Sequence, residues 1–264
     1  MELVAAAAVD VTNFVTASEA SSQAFKTATL LKSLTINALI MGENGVGKRT
    51  LASFILPNAT AINGSNYEEL LQAMESSNEI IITDIDTFPN IKLLIDTIKT
   101  NKVRVIATSK QSFSNEYLDD IFSVKFDIPP LSAREEDVQE LIEVFVKDAV
   151  KLFGGENKFN IKDFKPDLSD NANSLRRQVM ISYLLQDIDD KELMDIIENY
   201  LFDKLGSNSD YRNYLYLYEV PLIRAGLTKF KSQLQLSDRL GLNRNTLRKK
   251  ISDNKEYLQG ENDE

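Results

Sequence analysis

Nine consecutive residues constrain this chain more than any others: Gly42-Glu43-Asn44-Gly45-Val46-Gly47-Lys48-Arg49-Thr50. The apolar run Ala38-Leu39-Ile40-Met41 precedes them and reads as a buried parallel strand. Leu51-Ala52-Ser53-Phe54-Ile55-Leu56 follows and reads as the start of a helix. Strand, glycine turn and helix together are the setting a phosphate-binding loop requires. Gly42, Gly45 and Gly47 let the backbone curl so that several N–H groups point into one concavity. Lys48 adds a mobile positive charge and the helix N-terminus a partial one. The guest this arrangement implies is the polyphosphate of a nucleotide. The bland alternative, a glycine turn with a chance lysine, leaves the flanking strand and helix unexplained. One position departs from the usual pattern. Ser or Thr ordinarily follows the lysine to help hold Mg²⁺, whereas here Arg49 stands there and Thr50 comes one residue late.

The sequence around the loop alternates strand and helix signals. Helical spacing covers 14–34, with Phe25, Leu30, Leu31 and Leu34 as expected core contacts. After the loop helix, strands are expected near 59–62, 80–82, 103–107 and 124–128, separated by helices at 67–77, 91–100 and 118–122. Strands alternating with helices indicate a parallel sheet covered on both faces. From Pro129-Pro130 onward the strand signals stop. Residues 134–152 and 174–201 read as helical with a looser stretch at 154–173. A linker is expected at 206–210, helix resumes to about 257, and the tail 260–264 should fray. The expected organisation is an α/β domain over 1–130, an all-α lid over 131–205 and an all-α module over 206–264.

Composition narrows the chemistry. The 264 residues contain no cysteine and no histidine. Disulfides and thiolate metal sites are therefore excluded, as is the commonest general base. Any catalysis must use carboxylates, Lys, Arg or bound Mg²⁺. The apolar run at 3–9 is too short to span a bilayer, and Glu2 rather than a basic segment precedes it, so a cytoplasmic protein without membrane contact is expected. The net charge of −10 is unevenly spread. Residues 224–251 carry +7 and the remainder −17, which suggests an acidic body bearing one basic binding module.

Several stretches, taken in order, resemble one family. The glycine loop is similar to the GExGxGKE loop of AAA+ enhancer-binding regulators of the NtrC type, which itself lacks the usual Ser/Thr. Val103-Arg104-Val105-Ile106-Ala107-Thr108 resembles that family's sensor I strand. Ile128-Pro129-Pro130-Leu131-Ser132-Ala133-Arg134-Glu135-Glu136-Asp137-Val138 resembles its hinge into the helical lid. Asn173-Ser174-Leu175-Arg176 is similar to a degraded GNVRE motif, which implies that Arg176 is the sensor II arginine. Leu240 to Ile251 is similar to the recognition segment of a Fis-type helix-turn-helix. The resemblance runs from about Phe14 to Ile251. It implies an AAA+ phosphate-loop sheet, a helical lid and a C-terminal helix-turn-helix. It also implies ATP or ADP as cofactor with Mg²⁺ possible, double-stranded DNA as partner, and a homodimer or higher homo-oligomer.

The C-terminal segment also stands on its own chemistry. Ser232 can cap a first helix, with Leu234, Leu236 and Leu240 on its buried side. Gly241 can end that helix in a left-handed conformation. Asn243 can cap a second helix with Leu247 and Ile251 turned inward. That leaves Arg244, Asn245, Thr246, Arg248, Lys249 and Lys250 for a nucleic acid. Arg244 and Asn245 suit base edges, while Lys249 and Lys250 suit phosphates. A solvated basic helix is the plain alternative. The apolar residues of 214–230 exceed what two short helices cover, so part of that segment is expected to form a dimer contact.

The departures from the family weigh against enzymatic turnover. Only 35 residues separate Lys48 from Thr83, and that interval has neither the GAFTGA motif nor room for the loop that touches sigma-54. The Walker B strand should end in Asp-Glu, where one carboxylate holds Mg²⁺ and the other orients water. Here Asp84 is a candidate Mg²⁺ contact, or merely a turn residue, and the neighbouring carboxylate is missing. The family's two arginine fingers would fall on Ser114 and Asp120, with Lys110 as a conceivable substitute. Two readings follow: a DNA-binding regulator whose body binds nucleotide but hydrolyses it poorly, or a minimal ATPase tethered to DNA.

Overall fold

A computed structural model describes residues 14–111, 113–155, 159–161 and 164–258. The apolar run at 3–9 and the tail 260–264 lie outside them. The chain divides into two compact units, Met1–Ile188 and Asp189–Glu264.

The first unit is built on five strands: β1 (Ala38–Met41), β2 (Thr60–Asn63), β3 (Glu79–Thr83), β4 (Arg104–Ser109) and β5 (Val124–Asp127). Their order across the sheet is β2-β3-β4-β1-β5 and each pairing is parallel. In register, Leu39 of β1 lies between Ala107 of β4 and Lys125 of β5. Alternation along the strands feeds two separate layers. Leu39, Ile80, Ile82, Val105 and Ala107 face helices α3 (Tyr67–Ser76) and α4 (Ile91–Asn101). Ala38, Ile40, Ile81 and Ile106 face α1 (Glu19–Ser33) and α2 (Lys48–Ile55). Burial on both faces is why these strands read as unbroken apolar runs. The chain leaves β1 for the far edge at β2 and returns through β3 and β4 to β1's side. The loops after β1, β3 and β4 therefore converge at one end of the sheet, where open α/β sheets bind ligands.

Helix α1 differs from the expected pattern. Its buried face is Ser21, Ala24, Ala28 and Leu31, while Leu30 and Leu34 point to solvent. Small residues at this spacing let the helix lie close on α2, and Phe25 fills the margin against Phe14 and Phe54. The helix expected at 118–122 is instead a single 3-10 turn, Glu116–Leu118.

Two helices complete the unit, α5 (Glu135–Phe153) and α6 (Asn171–Leu185), packed through Val138, Ile142, Phe145, Leu175 and Val179. The helical stretch expected over 174–201 is two helices, with a break after Leu185. Helix α7 (Asp190–Phe202) starts afresh behind a capping box in which Asp189 and Glu192 each accept from the other's backbone N–H. That box satisfies donors that a continuous helix would have used internally. The boundary between compact units falls there, so α7, expected in the lid, groups with the C-terminal unit.

The second unit is all helical: α7, α8 (Asp210–Tyr214), α9 (Tyr216–Phe230), α10 (Gln233–Leu240), α11 (Arg244–Asp253) and α12 (Lys255–Leu258). The expected linker is a short structured turn in which Asp210 accepts from the N–H groups of Gly206 and Ser207. The core is small, Ile223 of α9 with Leu236 of α10 and Leu247 of α11. Leu234 is 43% exposed rather than buried. Gly241 ends α10 at φ 63°, in the left-handed region that glycine adopts without penalty. Among the described residues no helix is long and apolar enough to cross a membrane.

Candidate functional site

The glycine loop joins β1 to α2 at the converging end of the sheet. A phosphate cradle needs backbone N–H groups facing inward, and the carbonyls must then find donors elsewhere. Here six successive carbonyls do so. Lys48 Nζ donates to Gly42 O (2.6 Å) and Glu43 O (2.8 Å). The Asn171 side-chain amide donates to Asn44 O (2.9 Å), and the Ala172 N–H donates to Gly45 O (3.2 Å). The Arg134 guanidinium donates to Val46 O (3.1 Å), and the Leu51 N–H donates to Gly47 O (3.1 Å). Gly45 sits at φ 72°, and a Cβ there would lie 2.5 Å from Asp170 O at the foot of α6. The loop is thus gripped by its own lysine, by α2 and by the N-terminal ends of α5 and α6.

A cleft of about 830 Å³ opens over the loop. Its lining includes the polar Lys48, Thr50, Thr83, Asp84 and Thr108 and the apolar Phe14, Val15, Leu131, Leu141 and Phe145, with Gly45 and Arg176. The volume is that of an ordinary ligand cleft. Glu43, Asn44, Val46, Gly47 and Arg49 also line it. Arg49 is exposed, so the side chain at the usual Mg²⁺-hydroxyl position supplies a charge instead. Burial pushes the Lys48 ammonium below the ordinary lysine range. Asp84 and Asp86 pull it back up, while Lys110 pushes it further down.

Asp84 has a positive φ of 52°, and its carboxylate accepts from Asn63 Nδ2 at 2.9 Å. Its N–H donates to the buried Thr108 hydroxyl at 3.0 Å, which ties the ends of β3 and β4 together. Among the described residues no group of three or more His, Cys, Asp or Glu side chains converges on one point. Mg²⁺ would depend on Asp84, nearby hydroxyls and the oxygens of a bound nucleotide. Sequence reasoning missed Asp86. It lies two residues on, in the 3-10 turn Ile85–Thr87, and its Oδ1 is buried without a hydrogen-bond partner. Of the two finger positions, Ser114 is exposed and Asp120 is bridged to Lys99 (3.4 Å).

A second group missed by the sequence underlies the cleft wall. Asp137 is wholly buried and accepts from the Ser18 N–H (2.8 Å), the Ser18 hydroxyl (3.0 Å), the Ser21 hydroxyl and Arg134 (3.2 Å). Burial pulls the Arg134 guanidinium below its ordinary range, and Asp137 opposes that shift. The sequence signal was available only as an Arg-x-x-Asp spacing in the hinge segment.

On the second unit, Ser232 and Asn243 cap α10 and α11 by accepting from Gln235 N–H (3.4 Å) and Asn245 N–H (2.9 Å). Arg244, Asn245, Thr246, Arg248 and Lys249 are exposed on α11, with Leu247 inward. Lys250 does not join them. It turns back onto α9 and is ion-paired to Glu219, so its assignment as a free phosphate contact is corrected.

Comparison with solved structures fixes the fold. NtrX from Brucella abortus in complex with ADP superposes with a TM-score of 0.59 at 16% identity, over 91% of this chain and 68% of that one. The same protein in complex with ATP gives 0.55 at 18%, over 91% and 69%. Domain III of the Thermotoga maritima replication initiation protein DnaA gives 0.50 at 15%, over 72% and 95%. The chain has an AAA+ fold. No protein-family model matches the sequence, and no curated protein does.

Proposed function

We propose that this chain is a DNA-binding transcription regulator whose AAA+ unit binds ATP or ADP and hydrolyses it poorly. The observation that carries the reading is the glycine loop, whose six successive carbonyls are all satisfied, three of them by Arg134, Asn171 and Ala172 from far along the chain. The solved neighbour NtrX, crystallised with ATP and with ADP, supports it. In this reading the loop residues and Lys48 hold the phosphates, and Arg176, which lines the same cleft, serves as the sensor II arginine. Asp84 would help hold Mg²⁺, which would supply neutralisation of the phosphate charge. The C-terminal unit presents Arg244 and Asn245 to base edges and Lys249 to phosphate, as part of a homodimer or higher homo-oligomer. The interval between Lys48 and Thr83 is too short for the sigma-54 contact loop, so open-complex formation by sigma-54 polymerase should not depend on this protein.

Titration calorimetry tests the nucleotide part: ATP or ADP should bind the wild type and not Lys48→Ala, and a wild type that binds neither overturns it. Selection from random duplexes, followed by gel shifts, tests the DNA part. Arg244→Ala should weaken the selected site by ~1–3 kcal/mol more than random DNA.

Asp86 favours a second reading, a minimal DNA-tethered ATPase. It puts a second carboxylate near the Lys48 charge although the family's position for one is lost. A steady-state ATPase assay with and without DNA separates the two. Background turnover supports the regulator, while turnover of ~1 per second that falls in Asp86→Asn supports the enzyme.

A further inference from the structure

The second residue of α2 changes the electrostatics of the cleft. Serine or threonine at that position would offer a hydroxyl to Mg²⁺. Arg49 stands there and offers a permanent cation with a planar fork of donors. Its side chain is exposed and lines the cleft together with Gly47, Lys48 and Thr50. Among the described residues no hydrogen bond or ion pair engages its guanidinium. Two other cations of the cleft are already committed. Lys48 is buried and divides its ammonium between Gly42 O and Glu43 O. Arg134 is buried and donates to Asp137 and to Val46 O. Of the four cations that line the cleft, Arg49 and Arg176 are the exposed ones. Arg49 is the one that sits in the first turn of α2, where the helix adds its partial positive charge.

The protein donors left for Mg²⁺ are correspondingly few. Thr50 comes one residue late, and one residue is a turn of about 100° around a helix. The Asp84 carboxylate is shared with Asn63 Nδ2 at 2.9 Å. Among the described residues no three His, Cys, Asp or Glu side chains converge to add to it. Mg²⁺ demands near-octahedral oxygen geometry and gives up its waters reluctantly, so a site with few protein oxygens adds little to what the phosphates offer the ion. A guanidinium at the hydroxyl position also repels a divalent cation and competes with it for the same phosphate oxygens. Arginine binds such oxygens through two parallel charge-assisted hydrogen bonds, which a hydrated lysine ammonium does not match.

We infer that Arg49 takes over the charge-neutralising part that Mg²⁺ plays in an ordinary phosphate loop, so that this site holds ATP or ADP nearly as well without the ion as with it. The inference rests on the nucleotide reading above and deepens it. Asp84 can still help hold an ion that arrives with the nucleotide, but retention of the nucleotide does not depend on it. Titration calorimetry of the full chain with ATP and with ADP, in Mg²⁺ and again in excess EDTA, tests this. The wild type should bind within about threefold in the two buffers, less than one charge-assisted hydrogen bond contributes. Arg49→Ser restores the hydroxyl and removes the charge. It should match the wild type in Mg²⁺ and fall about tenfold or more behind it in EDTA, the size of a lost hydrogen bond to a charged group. Arg49→Lys keeps the charge and should recover part of that loss. A merely structural role for Arg49 would weaken binding in both buffers alike, and that result overturns the inference. So does a wild type that loses tenfold or more in EDTA, or an Arg49→Ser chain that follows the wild type in both buffers. Loss confined to EDTA sinks only the role given to Arg49, whereas a wild type that binds neither nucleotide in Mg²⁺ sinks the nucleotide reading itself.

Discussion

Replacing Asp137 by alanine should be among the most damaging single changes available in the first unit. The carboxylate has no solvent exposure and accepts four hydrogen bonds, from the Ser18 N–H, the Ser18 and Ser21 hydroxyls and Arg134. Arg134 is itself only 2% exposed, and its Nε lacks a partner already. Removing the acid would leave the guanidinium with Val46 O as its remaining acceptor. Breaking a buried ion pair from one side costs about 3–5 kcal/mol. An orphaned buried N–H at Ser18 adds about 1–3 kcal/mol, and the two are not fully additive. A loss near 4 kcal/mol in a unit of this size lowers its melting temperature by roughly 8–16 °C. Differential scanning calorimetry of the full chain should show the transition of the first unit moving by that amount while that of the C-terminal unit stays. The paired change Arg134→Met with Asp137→Leu should recover most of the loss, since apolar replacement of a buried pair is often neutral or stabilising. A shift in Asp137→Ala under about 3 °C, that is under about 1 kcal/mol, would refute the claim that this cluster holds α1, the hinge and the loop together.

Three further outcomes are expected. Lys249→Ala should lower DNA binding on specific and random duplexes alike and flatten the salt slope by about one unit. Lys250→Ala should leave the slope nearly unchanged and destabilise the C-terminal unit instead, which gel shifts at several salt concentrations and calorimetry together resolve. Gly45→Ala puts a Cβ 2.5 Å from Asp170 O at a left-handed φ, so ATP binding by calorimetry should fall at least tenfold. The lowered pKa of Lys48 gives a signed pH effect. Between that depressed value and 10.5 the unfolded chain holds a proton the folded one has lost, so stability rises with pH there. Nucleotide affinity falls over the same window, because the phosphates need the charged lysine. Denaturant titrations should show the stability rise vanish in Lys48→Met.

The parts of the fold written in local patterns were legible. Apolar runs such as Ile80-Ile81-Ile82 and Val105-Ile106-Ala107 are buried on both faces, which only a parallel sheet flanked by helices provides. The strand, loop and helix around Gly42 to Lys48 followed from spacing alone. Helix α1 was misread because its buried side is made of Ser21, Ala24 and Ala28, and a search for large apolar residues picks Leu30 and Leu34 instead. The helical content of 174–201 was legible, while the position of the break between α6 and α7 was not, because Asp189 and Glu192 look like ordinary helix-surface acids until their caps form. Lys250 was misassigned because its partner Glu219 lies 31 residues back on another helix.

The candidate site divides along the same line. The glycines and Lys48 are adjacent in sequence, and their chemistry follows from adjacency. What holds the loop's backbone in place comes from far away: Arg134 reaches Val46 O across 88 residues, and Asn171 reaches Asn44 O across 127. Asn171 also donates to the Glu43 carboxylate at 3.0 Å, accepts from the Leu131 N–H at 2.7 Å and sits at φ 49°. One amide side chain thus joins the loop, the hinge after β5 and the first residue of α6. An asparagine suits that position because it tolerates a left-handed backbone and carries both donors and an acceptor on a short stem. These donors occupy the loop's carbonyls, and Arg134 lines the cleft as well. The cradle is therefore a property of α5, α6 and the loop together, although only the loop announces itself in the sequence.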